Sequence, residues 1–180
     1  MHHSSLHRMK RFVDLYLGAK RNEKLHILDF GSQVITGESY RKFFTNPNWI
    51  YTGVDICAGP NVDCVLKDKY KWKEIPDNGV DVFISGQAFE HIEYIWLSML
   101  EIGRVLKPGG ITCLLAPSAV GLIHRYPVDC WRIQADGWKA LAKYANLEPI
   151  ICQTKWEQLP AWVDGSNIWD DCVLIAKKPS

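Results

Sequence analysis

Two strand-like runs decide the fold: Val80-Asp81-Val82-Phe83-Ile84-Ser85, and Ile111-Thr112-Cys113-Leu114-Leu115-Ala116. Between them lie a helix-compatible stretch over 92–106 and the turn Pro108-Gly109-Gly110. The first run is announced by Asp77-Asn78-Gly79 and the second is stopped by Pro117, both turn signals. A strand that is apolar at successive positions is covered on both faces, and a helical crossover makes its two strands parallel. Similar runs stand upstream at 25–30, 49–55 and 62–66. Residues 40–45 are helix-compatible and stop before Pro47. Downstream, 134–146 predicts a helix with Trp138, Leu141, Ala142 and Ala145 at helical spacing, followed by strands at 147–154 and 172–177. The last two strands are joined by 155–171, which has no helical pattern, so an antiparallel strand is expected there. The expectation is one α/β domain over 1–180. Its seven-stranded sheet is mostly parallel, with one antiparallel strand near the end and helices on both faces. Residues 1–20 hold an N-terminal helix, amphipathic over 6–17, that is a candidate cover for the site.

The chain has 180 residues, and its composition excludes several classes. With 47% hydrophobic residues, 12% aromatic residues and 8 Trp it is not a disordered chain. Lys+Arg 21 against Asp+Glu 20 gives net charge +1, which does not indicate a nucleic-acid partner. No apolar run is long enough to span a membrane, and the polar, His-rich start is not a signal peptide. The 6 Cys contain no CxxC pair, so zinc-ribbon and thioredoxin-type readings fail and no metal site is expected. Cys64, Cys113 and Cys172 lie in apolar runs and read as buried free thiols of a cytoplasmic protein.

In a sheet of this kind ligands bind beyond the carboxyl ends of the strands, where strand order reverses. The residues falling there are Asp29, Gly31, Ser32 and Gln33, then Asp55, then Asp68 and Tyr70. After the fourth strand come Ser85, Gly86, Gln87, Glu90 and His91. Each has a plainer reading beside the functional one. Gly31 suits a tight turn as well as a cofactor loop. Asp55 is either a strand-end carboxylate or the acceptor of ribose hydroxyls. Asp68 sits in the charged run 67–73, which also reads as a solvated loop. The loop after the first strand lacks the middle glycine of Gly-x-Gly-x-x-Gly. That argues against close approach of a pyrophosphate, and so against a nicotinamide dinucleotide.

The motifs resemble class I S-adenosylmethionine-dependent methyltransferases of the small, type-11-like branch. Leu28-Asp29-Phe30-Gly31 is similar to the family's first motif, Tyr51-Thr52-Gly53-Val54-Asp55 to its second, and residues 80–91 to its fourth. Arg104-Val105-Leu106-Lys107-Pro108-Gly109-Gly110 resembles its turn into the fifth strand. The resemblance implies a Rossmann-like three-layer sandwich and S-adenosylmethionine as cofactor. It places Asp29, Gly31, Ser32 and Gln33 by the methionine part, Asp55 with Ile56 at the ribose, Asp68 and Tyr70 by the adenine, and Gly86 and Gln87 beside the cofactor. The chain departs from the family in having fewer glycines after the first strand, where residues 36–41 are candidates to rebuild the turn.

Residues 123–132, Ile-His-Arg-Tyr-Pro-Val-Asp-Cys-Trp-Arg, follow the fifth strand. Arg125 and Arg132 suit a carboxylate or phosphate on an acceptor, and Tyr126, Asp129 and Trp131 complete a substrate-binding set. His124 is the first candidate for general base and His91 the second. The plainer reading is structural: Asp129 pairs Arg132, and Trp131 packs under the following helix. No Asn/Asp-Pro-Pro-aromatic or Pro-Cys motif occurs, so DNA-type amino and cytosine-carbon methylation are disfavoured. A small-molecule or saccharide acceptor, methylated on O or N, remains. An open sheet end leaves a homodimer open. Two rivals stand beside this reading: a non-catalytic, methyltransferase-like binding or scaffold protein, with late tryptophans Trp156, Trp162 and Trp169 as its surface, and a nicotinamide oxidoreductase.

Overall fold

A computed structural model of the chain describes residues 3–35, 37–118, 123–156 and 170–180. Trp162, Trp169 and Thr36 fall outside them. The strands are β1 (Leu25–Phe30), β2 (Trp49–Asp55), β3 (Cys64–Val65), β4 (Val80–Gly86), β5 (Leu106–Ala116), β6 (Glu148–Thr154) and β7 (Cys172–Lys177). They form one sheet in the order β3-β2-β1-β4-β5-β7-β6. The first five pair in parallel, and β7 lies between β5 and β6, antiparallel to both.

Two boundaries differ from expectation for local reasons. The third strand is two residues long, because Val62 closes a turn onto the Gly59 carbonyl and pairing with β2 begins only at Cys64. The fifth begins five residues early. Leu106 already pairs with Val80, while Ile111 pairs with Val82, so residues 107–110 bulge out between two close positions of β4. Gly109, at φ +77°, makes that excursion. The stretch over 40–45 forms only a short 3-10 turn, Tyr40–Phe43.

Alternate strand residues serve opposite layers, as the period of two requires. Leu28, Phe30, Phe83, Leu114 and Leu174 pack under α2 (Ile95–Val105) and α3 (Ala135–Tyr144). Helix α2 buries Ile95, Met99, Ile102 and Val105, one stripe at helical spacing. In α3 the stripe is Trp138 and Ala142, and the fully buried Trp138 meets Phe89 edge-on at 5.4 Å. Ile27, Ile84, Cys113 and Leu115 face the other way, toward α1 (His3–Phe12), which continues through a π turn and a 3-10 turn to Lys20. Met9, Phe12 and Leu17 are fully buried there. Helix α1 is thus a layer of the core. All six cysteines are free; Cys113 and Cys172 are buried, while Cys64 is only half-buried. Among the described residues no helix is long and apolar enough to cross a membrane.

Candidate functional site

Strand β1 pairs with β2 on one side and β4 on the other, so strand order reverses at β1 and the crevice lies at its carboxyl end. Gly31 caps β1 with φ +71°, and its N–H donates to Val54. A Cβ there would stand 2.5 Å from the Ala88 Cβ, so glycine is what lets the loops after β1 and β4 touch. At the tip of β4 the Tyr40 phenol fills the space a Cβ on Gly86 would take.

The loop after β1 keeps its shape with few glycines because the loop after β2 holds it. Asp55 Oδ2 accepts from the Gln33 N–H at 3.0 Å, and Oδ1 from the Ile56 N–H at 2.7 Å. Val34 N–H donates to Pro60 O at 3.1 Å, and Asn61 Nδ2 to Ser32 O at 2.9 Å. The Gln33 side chain lies across Gly59 and donates to Ala58 O, and Ser32 is buried with its hydroxyl on Asn61 O. Asn61 takes φ +73° to serve this loop, and Arg41 holds its amide oxygen at 2.7 Å. Asn61 was not singled out from the sequence, and Arg41 only as the end of the stretch 36–41. Pro60-Asn61 was the available turn signal.

Two expected cofactor residues turn out to be otherwise engaged. Asp29 is buried and accepts from the Tyr51 hydroxyl, and burial pushes its carboxyl up to about 7. It belongs to the polar interior with Tyr51, over whose ring the Arg41 guanidinium lies at 4.4 Å. Asp68 Oδ1 accepts from the N–H groups of Tyr70 and Lys71, closing its own turn. Tyr70 leans on Tyr94, ring centres 5.3 Å apart.

The groups that fit a nucleoside carrying an amino-acid tail are fewer. Asp55 stands at the tip of β2 beside the exposed side chain of Ile56. Gln87, at φ +58°, holds a buried side-chain oxygen with no hydrogen-bond partner among the described residues. A carboxylate suits paired ribose hydroxyls, and an orphan amide oxygen suits an ammonium.

On the other shoulder the sequence candidates converge. Glu90 and His91 sit on a 3-10 turn, Phe89–His91, just past β4, and His124 comes from the segment after β5. Glu90 is fully buried, and neither carboxylate oxygen has a hydrogen-bond partner among the described residues. Its nearest cationic-capable neighbours are His124 Nε2 at 3.7 Å and His91 Nε2 at 3.8 Å, with the two rings edge-to-face at 4.8 Å. His91 Nδ1 lies 2.6 Å from the Val128 carbonyl, which makes it the protonated nitrogen and leaves Nε2 with its lone pair. The interaction with Glu90 raises the His124 pKa above the ordinary histidine range.

Asp129 braces this shoulder. It takes Arg132 in a two-pronged pair at 2.6 and 2.9 Å and accepts the His124 N–H at 2.9 Å. The Arg132 hydrogen bond, first among several, holds its carboxyl well below the usual range. The Asp129–Arg132 pair of the plainer reading is present, and through it the two residues hold the loop. Trp131 packs against the core layer that holds Trp138 and Ala142 of α3; its Nε1 donates to Ile92 O, and its ring meets Trp96 in the first turn of α2. Arg125 and Tyr126 are exposed, and Tyr126 precedes a cis proline.

One part of the site was not foreseen. Arg8 of α1 and Asp171, 163 residues apart, form a buried ion pair at 3.0 Å, and burial pushes Asp171 up to about 6. Ser5 bonds the Tyr40 hydroxyl at 2.8 Å and lies 3.4 Å from Gln87 Nε2. The signal was an arginine on the apolar stripe of α1. Surface clefts lie elsewhere. One of about 310 Å³ surrounds Arg104, which is engaged by Glu101, Asp77 and two carbonyls. Another of about 360 Å³ is at the amino ends of the strands, near Lys24 and Asn48.

Comparison with known proteins agrees with this geometry. Residues 28–114 match a family described as a methyltransferase domain. The 1,6-didemethyltoxoflavin-N1-methyltransferase of Burkholderia thailandensis, solved with 1,6-didemethyltoxoflavin and S-adenosylhomocysteine, superposes with TM-score 0.69 at 14% identity, over 98% of this chain and 79% of that one. A SAM-dependent methyltransferase from Archaeoglobus fulgidus gives 0.64 at 16%, over 97% and 95%. The [4+2]-cyclase SpnF gives 0.63 at 19%, over 94% and 81%. At such identities the shared property is the Rossmann-like fold. No curated protein matches the sequence.

Proposed function

We propose that this chain, whose residues 28–114 match a methyltransferase-domain family, is a class I S-adenosylmethionine-dependent methyltransferase that uses the two shoulders of its crevice. It methylates an oxygen or nitrogen of a small-molecule or sugar-containing acceptor, and His124 takes the acceptor's proton. The observation that supports this most is the convergence of His91 and His124 on the buried Glu90 just past β4, with β1 alone between β4 and the strand that ends in Asp55. S-adenosylmethionine, when bound, supplies a methyl group on a sulfonium that is already activated, so alignment is the protein's main task.

Asp55 would hold the ribose and Gln87 the amino-acid tail, while Gly31 and Gly86 keep the loops close. Asp129 fixes the backbone at His124, and Glu90 stabilises the imidazolium formed when the ring accepts a proton. His91, tied to Val128, orients the second face of the pocket. Arg125 and Tyr126 are the exposed side chains left to meet the acceptor. The free thiols fit a cytoplasmic setting.

The scaffold alternative predicts no turnover. The test is release of S-adenosylhomocysteine from S-adenosylmethionine with a panel of hydroxyl- and amine-bearing monosaccharides and small heterocycles. The expected result is turnover on at least one acceptor that drops by about 10²–10⁴ in His124→Ala, with S-adenosylhomocysteine affinity unchanged. Unaltered turnover in the variant removes His124 from the chemistry, and no turnover across the panel favours the scaffold.

A further inference from the structure

We propose that Glu90, His91 and His124 form a binding site for a divalent transition-metal ion of the zinc class. Two imidazoles and one carboxylate, with the remaining positions open, are a recurrent ligand set for such ions. One ligand atom from each residue lies within 4.8 Å of the others. Ligands at tetrahedral zinc stand about 3.3 Å apart. The two carboxylate-to-imidazole distances, 3.7 and 3.8 Å, come within about half an ångström of that.

Burial supplies the second argument. The Glu90 side chain has no exposed surface, and both its oxygens lack a hydrogen bond among the described residues. A buried carboxylate whose two imidazole neighbours stand at 3.7 and 3.8 Å, too far for a hydrogen bond, gains from a cation seated among the three groups. The side chains of His91 and His124 are 16% and 37% exposed, so the site opens to solvent on their side, where water or an acceptor heteroatom completes the coordination.

One outer partner is also in place. Ligating histidines ordinarily give their other ring nitrogen to a carbonyl or carboxylate. His91 Nδ1 is 2.6 Å from Val128 O, while His124 Nδ1 stands 3.7 Å from Asp129 Oδ2, facing that carboxylate but beyond hydrogen-bond distance. Arg132 grips that same aspartate. Magnesium and calcium prefer all-oxygen ligands and are disfavoured here.

The inference goes beyond the proposed base function without depending on it. An ion in the pocket takes the His124 lone pair, so metal-loaded and base-competent protein are two states of one site. The test uses the full chain stripped with a chelator. Cobalt(II) is titrated and its visible absorption followed, and zinc(II) is measured by competition with a chromophoric chelator. The expected result is one equivalent per chain, no sulfur-to-cobalt charge-transfer band from the exposed Cys57 or Cys130, and no competition by excess magnesium. His91→Ala and His124→Ala should each cost more affinity than the roughly 10–100-fold lost with an outer partner. Asp129→Asn should fall in that outer range. Metal-free unfolding temperatures show whether each variant is folded, and Glu90→Gln serves if a histidine variant is not. Absent stoichiometric binding, equal affinity in the variants, or a thiolate band overturns the site. The acceptor assay, run in chelator, is unaffected by any of these, so the two readings fail separately.

Discussion

The two shoulders of the crevice are built by different means. On the β1–β2 side most bonds have a main-chain group at one end: the N–H groups of Gln33 and Ile56 meet the Asp55 carboxylate, Asn61 Nδ2 meets Ser32 O, and Val34 bonds Pro60. On the β4–β5 side charged and ionisable side chains dominate: Glu90, His91, His124, Asp129 and Arg132. Main-chain bonds depend weakly on residue identity, so the first shoulder tolerates an irregular loop. The second depends on each side chain and carries a carboxylate with no hydrogen-bond partner among the described residues. A constant ligand suits the first, and chemistry particular to this chain suits the second.

The comparison breaks hardest if the support of the second shoulder fails. Trp138 lies under Phe89, on the turn that carries Glu90 and His91. Trp138→Ala should cost about 3–5 kcal/mol of stability, read by denaturant unfolding; a loss below about 1 kcal/mol would mean the turn does not rest on α3. Asp129→Ala strips Arg132 and the His124 N–H of their partner and should cost about 1–3 kcal/mol, leaving S-adenosylhomocysteine binding at Asp55 intact. Equal damage to both would show the shoulders to be one unit.

The smallest effect sharpens the first shoulder. Asp29 has a folded pKa of about 7 against an ordinary 3.8, because it is buried. Between those values the folded state keeps a proton that the unfolded chain has released. Its contribution therefore favours folding at low pH and fades as pH rises through that window. Asp171, raised to about 6, acts in the same direction. Asp29→Asn should flatten part of the fall in stability across the window, measured by unfolding at several pH values, while keeping an acceptor for Tyr51. An unchanged pH profile would show that Asp29 stays ionised.

The sheet was legible because apolar runs and turn residues are local signals. Strands β1, β2 and β7 fall where those signals put them. Strand β5 ran ahead of its signal, since Pro108-Gly109-Gly110 punctuates the chain but is here a bulge paired on both sides. Asp55 and the two histidines were visible as polar residues at strand ends. Their grouping was not: His91 and His124 meet across strand β5, and Glu90 gains meaning only from complete burial. The burial of Asp29 on Tyr51 was not legible either, because the β1 alternation does not say which polar side chain turns inward. The Arg8–Asp171 pair joins opposite ends of the chain and had no spacing to reveal it.

If Asp55 anchors a nucleoside cofactor, thermal unfolding with and without S-adenosylhomocysteine reads it out. Ligand at a hundredfold over its dissociation constant adds about 2.7 kcal/mol, which for this length is on the order of 5–11 °C. That shift is expected in the native chain, is lost in Asp55→Ala, and is absent with NAD. No shift at millimolar S-adenosylhomocysteine, or an equal shift in Asp55→Ala, would remove Asp55 from cofactor binding.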